Sequence, residues 1–192
     1  MEEVFKLLQR YEQLSIGLTD YLESKLKPAL FHRWEVFLHE RQICRNIYFI
    51  VKGVARVAGW KDNGEYSPWL QQEGEIIISV DSFFRQVPSV ERLIAEGKLI
   101  VLYITFDEFQ EACARWPEFA VIRAKLVEEY YCRSRAWDAW LNSTPKTERY
   151  QKFVKEQPVL AARVTDKVLA SYLQIDYSYL KRHKKALRDK RK

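Results

Sequence analysis

The sequence predicts an α+β chain: N-terminal helices, a sandwich or barrel of short strands, one long helix, and an all-α C-terminal segment ending in a helix-turn-helix. Three observations carry this. Apolar residues recur at helical intervals as far as Leu26, at every second position between about Ala29 and Thr105, and at helical intervals again beyond that. Turn-forming residues divide the middle region into short runs. The basic charge is concentrated at the end: Lys181 to Lys192 hold 8 of the 32 Lys and Arg and one of the 26 acids. The rest of the chain is near neutral, so a net charge of +6 reads as a basic tail facing a polyanion.

Composition narrows the class further. At 192 residues and 47% hydrophobic, the chain can bury one large core or two small ones. Three cysteines at wide spacing, Cys44, Cys113 and Cys132, form neither a disulfide framework nor a metal-ligand set, and a reducing cytoplasm suits them. No apolar run approaches the roughly 20 residues of a membrane helix, and Met1 to Gln9 reads as an amphipathic helix rather than a signal peptide, so no membrane partner is expected. His32, His39 and His183 lack metal spacing, and no nucleophile elbow or phosphate-loop motif is present; neither an enzyme nor a cofactor is expected.

Taken in order, Val4, Leu7, Leu8, Tyr11, Leu14, Leu18, Tyr21, Leu22 and Leu26 define two short helices with a break at Ser15 to Gly17. Strands follow, with Ile47, Phe49 and Val51 on one face and Tyr48 and Ile50 on the other. Asp62, Asn63 and Gly64 suit a hairpin turn. Further strands are expected at Ser67 to Gln71, Glu75 to Ile78, Arg92 to Ala95 and Leu99 to Thr105. A short helix spans Asp107 to Arg115, and a long one runs from about Glu118 to Leu141.

The long helix carries Phe119, Ile122, Leu126, Tyr130, Trp137 and Leu141 in one stripe, interrupted by Arg133. Such a seam can pack on the chain's own barrel; the preferred reading pairs two chains, with Ile122, Leu126, Tyr130 and Trp137 at a homodimer interface. Lys146 to Glu156 forms another helix, ended by Pro158.

In the terminal segment Thr165 caps one helix and Asp176 a second, with a tight turn at Gln174 to Asp176. On the second helix Leu180, His183 and Leu187 form a packing stripe, while Ser178, Lys181, Arg182 and Lys185 form a basic one. Two short helices with a basic second member match a helix-turn-helix that enters the major groove of double-stranded DNA.

Four segments in this order resemble the Crp/Fnr superfamily of bacterial transcription regulators: IYFIVKGVARV from Ile47, SVDSFFRQVPSVERLIA from Ser79, TERYQKFVKEQP from Thr147, and LASYLQIDYSYLKRHKK from Leu169. The last two look especially like a Bacteroidetes branch of that superfamily. The resemblance implies a cyclic-nucleotide-binding-like, double-stranded β-helix jelly roll over residues 1–116, a dimerisation helix over 117–143 and a DNA-binding domain over 144–192. It also implies that Tyr177, Ser178 and Arg182 contact bases while Lys181, Lys184 and Lys185 contact phosphates. An effector site is expected near Ser82, Ser89, Glu91 and Arg92.

Departures from the family pattern shape that expectation. The Gly-Glu and Arg-Ser pairs that hold a cyclic nucleotide fall at Ser79 and Val80, and at Ser89 and Val90, so the effector is not expected to be cyclic AMP. Family turn glycines are replaced by Trp34, Arg41 and Gln174, and the sequence ends five residues after Leu187, where a β-hairpin wing would follow. The expected function is a transcription regulator with a degenerate effector domain. The competing reading is a jelly-roll ligand sensor or interaction module that no longer binds DNA.

Overall fold

The computed structural model describes residues 1–61 and 64–189, with side chains described as far as Ala186. Helices α1 (Glu2–Gln9) and α2 (Ile16–Lys25) lead into strands β1 (Lys27–Phe31), β2 (Val36–Leu38), β3 (Asn46–Lys52), β4 (Val54–Lys61), β5 (Gly64–Gln72) and β6 (Ile76–Ile77). Helix α3 (Val80–Arg85), strands β7 (Arg92–Ala95) and β8 (Leu99–Thr105), and helix α4 (Phe106–Arg115) complete the first region. The long helix α5 (Pro117–Ser143) is followed by α6 (Lys146–Glu156), α7 (Pro158–Arg163), α8 (Asp166–Tyr172) and α9 (Tyr177–Asp189).

The strands form two antiparallel sheets, ordered β1-β8-β3-β6 and β2-β7-β4-β5, that face each other as a jelly roll. Gly53, between β3 and β4, has φ +117°, and a Cβ there would lie 2.6 Å from the Lys98 carbonyl oxygen, so the turn admits only glycine. Trp34, Arg41 and Gln174 hold left-handed φ values of 67°, 65° and 52°. The turns therefore persist without glycine, with the strain of the left-handed region borne by residues packed on either side. The β4–β5 register runs to Lys61 opposite Gly64; the predicted turn residues Asp62 and Asn63 lie outside the described residues.

Sequence-readable caps set several helix starts. Ser15 Oγ accepts the Leu18 N–H, and Thr105 with Glu108 makes a reciprocal capping box. Pro158, expected to stop α6, also opens α7 as its first residue, where its missing N–H costs nothing.

The main core fills the jelly roll and extends beneath α1, α2, α4 and the start of α5. Of the four residues expected at a dimer seam, Ile122 is corrected. Phe119, Ile122 and Leu141 are at most 3% exposed within the single chain, so Ile122 has no surface to offer a partner. Leu126 packs on the same core, Tyr130 lies 5.5 Å from Trp69, and Trp137 stacks on Tyr172 at 4.3 Å. The stripe faces this chain's own jelly roll and C-terminal region, with Leu126, Tyr130 and Trp137 partly buried. Among the described residues, no helix is long and apolar enough to cross a membrane.

Candidate nucleic-acid interface and ligand cavity

The C-terminal helices pack around Leu169, Leu173 and Leu180, each fully buried. Thr165 Oγ1 accepts the Val168 N–H at 3.3 Å, and Asp176 Oδ1 accepts the Tyr179 N–H at 3.0 Å, the two caps expected from sequence. The Ser178 hydroxyl also donates to Asp176, which holds that carboxyl below its usual range and keeps it ionised as a cap. His183 stacks on Tyr179 and lies 2.8 Å from Gln151 Nε2, confirming a packing position. The side chain of Leu187, the last member of the predicted packing stripe, lies outside the described residues.

Tyr177, Ser178, Lys181, Arg182 and Lys185 are exposed together on α9, with the Lys181 ammonium 4.8 Å from the Tyr177 ring. Two expectations change here. Lys184 turns back to pair with Asp166 of α8, so its charge is partly neutralised within the protein. Ser178, expected at a base, spends its proton on the cap.

Arg149, buried on α6, organises this region. Its guanidinium donates to the carbonyl oxygens of Leu141 (2.6 Å) and Thr144 (3.0 Å) at the end of α5, and of Leu173 (3.0 Å) and Gln174 (3.2 Å) at the end of α8. One cation thus satisfies orphan carbonyls at two helix C-termini, where the helix dipoles also favour it. The sequence reading missed it, because its partners are backbone atoms that no motif displays.

The C-terminal helices are fastened to the jelly roll. Val54 and Leu70 enter the C-terminal core, Ser171 Oγ accepts the Ser67 N–H at 2.9 Å, and Arg163 pairs with Glu73. Beside this contact Arg56, itself buried, pairs with Glu96 at 2.5 Å and Glu65 at 2.8 Å.

The four predicted effector residues do not form an open site. Ser82 Oγ accepts the Cys44 N–H and donates to the Val87 carbonyl. Ser79 Oγ donates to Glu91 Oε2 at 3.0 Å, and Ser89 Oγ accepts the Glu91 N–H at 3.0 Å. Arg92 pairs with Glu65. Ser89 and Glu91 thus bond each other, while Ser82 and Arg92 are engaged by other parts of the chain. Burial pushes the Glu91 carboxyl up.

A cavity lies elsewhere, between β5, β6 and α5, with a volume of about 450 Å³. Leu7, Trp69, Ile77, Phe84, Leu126 and Tyr130 form its apolar wall. Arg10, Arg123, Arg133, Glu73, Glu75 and Glu129 supply its charge. Burial pushes the Tyr130 phenol up to about 12, so it remains a donor at neutral pH. No group of three metal-ligating side chains is assembled among the described residues.

No family model matches the sequence, and no curated protein matches it. Solved structures do match in fold. The c-di-GMP responsive global regulator CLP of Xanthomonas campestris superposes with a TM-score of 0.73 at 11% identity, over 92% of this chain and 93% of that one. FixK2 of Bradyrhizobium japonicum gives 0.72 at 13% identity, over 86% and 85% of the two chains. The catabolite activator protein of Thermus thermophilus gives 0.56 at 14% identity, over 96% and 87%. Likenesses at such identities speak to architecture: from its N-terminal helices through jelly roll and long helix to the C-terminal helices, this chain has the fold of the Crp/Fnr-type regulators.

Proposed function

We propose that the protein is a DNA-binding transcription regulator of Crp/Fnr type whose effector domain no longer recognises a cyclic nucleotide. The observation that carries this is α9, capped by Asp176, anchored by Leu180 and presenting Tyr177, Lys181, Arg182 and Lys185 outward together. A basic helix face held rigidly on a packed support is what major-groove reading requires. The regulator works in the cytoplasm and uses neither catalysis nor a cofactor.

Two copies act together. With the predicted stripe covered, the free face of α5 carries Val121, Ala124 and Tyr131, of which Tyr131 is 65% exposed. These residues, spaced by three and seven positions, lie on one side of the helix and suit pairing with the same face of a second copy. Pairing would set two α9 helices about one DNA turn, roughly 34 Å, apart.

Cyclic AMP is a poor fit, since its phosphate would meet Glu91 and find no free guanidinium beside it. The cavity between the jelly roll and α5 is the place for a different effector. Selection of bound fragments from genomic DNA by the purified protein tests the reading. The expected result is a two-fold symmetric site whose affinity falls steeply with salt. Failure of any fragment to outcompete bulk DNA removes the proposal.

A further inference from the structure

We infer that the cavity between the jelly roll and α5 receives an amphipathic organic acid, an apolar body bearing one carboxylate; this rests on the reading of that cavity as the effector site. The wall is contributed by three layers of the fold. Leu7 comes from α1, Trp69 and Ile77 come from the strands, and Leu126 and Tyr130 come from α5. An apolar body filling the space would bridge all three, and a volume of about 450 Å³ is within the range of small-ligand sites.

The charges decide what head group such a body carries. Two of the cavity carboxylates are paired with arginines, Glu73 with Arg163 and Glu75 with Arg133 at 2.6 Å, while Glu129 accepts from the neutral Tyr11 hydroxyl. The cations are not matched in the same way. Among the described residues, neither Arg10 nor Arg123 is paired with a carboxylate. Arg10 reaches only the Tyr11 hydroxyl, at 3.2 Å, and the Arg123 guanidinium lies 5.7 Å from the Phe84 ring. Arg123 is half-buried against that apolar wall. A guanidinium in such a place lacks the anion its planar fork is shaped for, and a carboxylate supplies it with charge-assisted hydrogen bonds. A neutral apolar ligand would leave both cations unmatched. A cation would meet Glu73 and Glu75 already paired with arginines.

Titration calorimetry of the full chain with decanoate and decan-1-ol tests this. Decanoate is expected to bind saturably, one per chain, and decan-1-ol about tenfold or more weaker, the value of a charge-assisted hydrogen bond. Arg123→Gln should weaken decanoate about tenfold without changing the alcohol, and Arg123→Lys should recover part of the loss. Leu126→Trp, which fills the cavity, should abolish binding of both, and circular dichroism would verify that each variant is folded. Equal affinity for acid and alcohol, or decanoate binding indifferent to Arg123, overturns the inference. DNA binding by the same preparations separates the two readings. Retained DNA binding with no decanoate binding defeats the ligand class alone, whereas decanoate binding without DNA binding at any salt concentration defeats the regulator reading and leaves the cavity assignment standing.

Discussion

Arg163 of α7 meets Glu73 of the jelly roll fork to fork, with both terminal nitrogens 2.6 Å from carboxylate oxygens, while Glu73 also accepts the Gly53 N–H at 2.6 Å. The C-terminal helices are therefore tied to a turn of the jelly roll that also borders the cavity. An effector that moved the loop after β5 would move the support of α9 with it.

This pair has a pH signature. The Arg163 hydrogen bonds hold the Glu73 carboxyl down at about 2, below its usual 4.5. Since the folded value is the lower one, the stabilisation is present above about pH 4.5 and is lost as pH falls toward 2. Both side chains are about a third exposed, 31% and 38%, so screening limits the pair to about 1 kcal/mol. Glu73→Gln is expected to remove that share and to speed amide exchange in α7 and α8 at neutral pH while the β3 and β8 amides stay protected. Unchanged exchange in α7 would show that the docking does not depend on the pair.

Arg149 makes a larger prediction. Arg149→Met keeps the volume of the aliphatic stem but leaves four buried carbonyl groups without their donor. Loss of a buried cation bonded to several acceptors costs about 3 kcal/mol. The cost should fall on the C-terminal helices, so a thermal melt should separate into an early transition for residues 144–189 and a later one for the jelly roll. A single transition at the original midpoint would show that the carbonyls find other partners.

Much of this architecture was legible because local physics and burial agreed. Alternation located the strands, and the caps at Thr165 and Asp176 located helix starts. What failed to show were relationships across the chain. The stripe on α5 identified a buried face, but periodicity does not say what buries it, and the cover proved to be Trp69, Tyr172 and the main core. Ser82, Ser89, Glu91 and Arg92 have side chains suited to a ligand, and only their coordinates reveal that each is already engaged within the protein. Lys184 looks like its neighbours on α9 until Asp166, 18 positions earlier, is seen beside it. The cavity draws on segments from Leu7 to Arg133, and no local motif could announce it.

The dimer reading is tested by two substitutions on one helix. Tyr131→Asp puts a charge on the exposed face of α5 and should give folded monomers by light scattering. Ile122→Asp places the same charge in the fully buried core and should unfold the chain instead. A Tyr131→Asp variant that keeps twice the monomer mass at micromolar concentration would remove this face as the interface.

On α9 the exposed cations should divide between reading and holding. Arg182 can offer a two-pronged donor to guanine O6 and N7, so Arg182→Ala is expected to cost about 1–3 kcal/mol on the preferred site and to flatten discrimination at one base pair. Lys185 is a flexible point charge; Lys185→Ala should weaken all sequences alike and lower the logarithmic salt slope by about one. Lys184 should behave differently from both, because its ammonium is engaged by Asp166. Lys184→Ala removes little charge from the DNA-facing side and should change the slope by clearly less than Lys185→Ala, while loosening the contact between α8 and α9. Binding across a salt series on the selected site and on bulk DNA separates these outcomes. If Arg182→Ala lowers specific and non-specific affinity by the same factor, Arg182 holds a phosphate and the reading face lies elsewhere on the helix. If Lys184→Ala lowers the slope as much as Lys185→Ala, the pair with Asp166 opens on DNA and Lys184 belongs with the phosphate contacts.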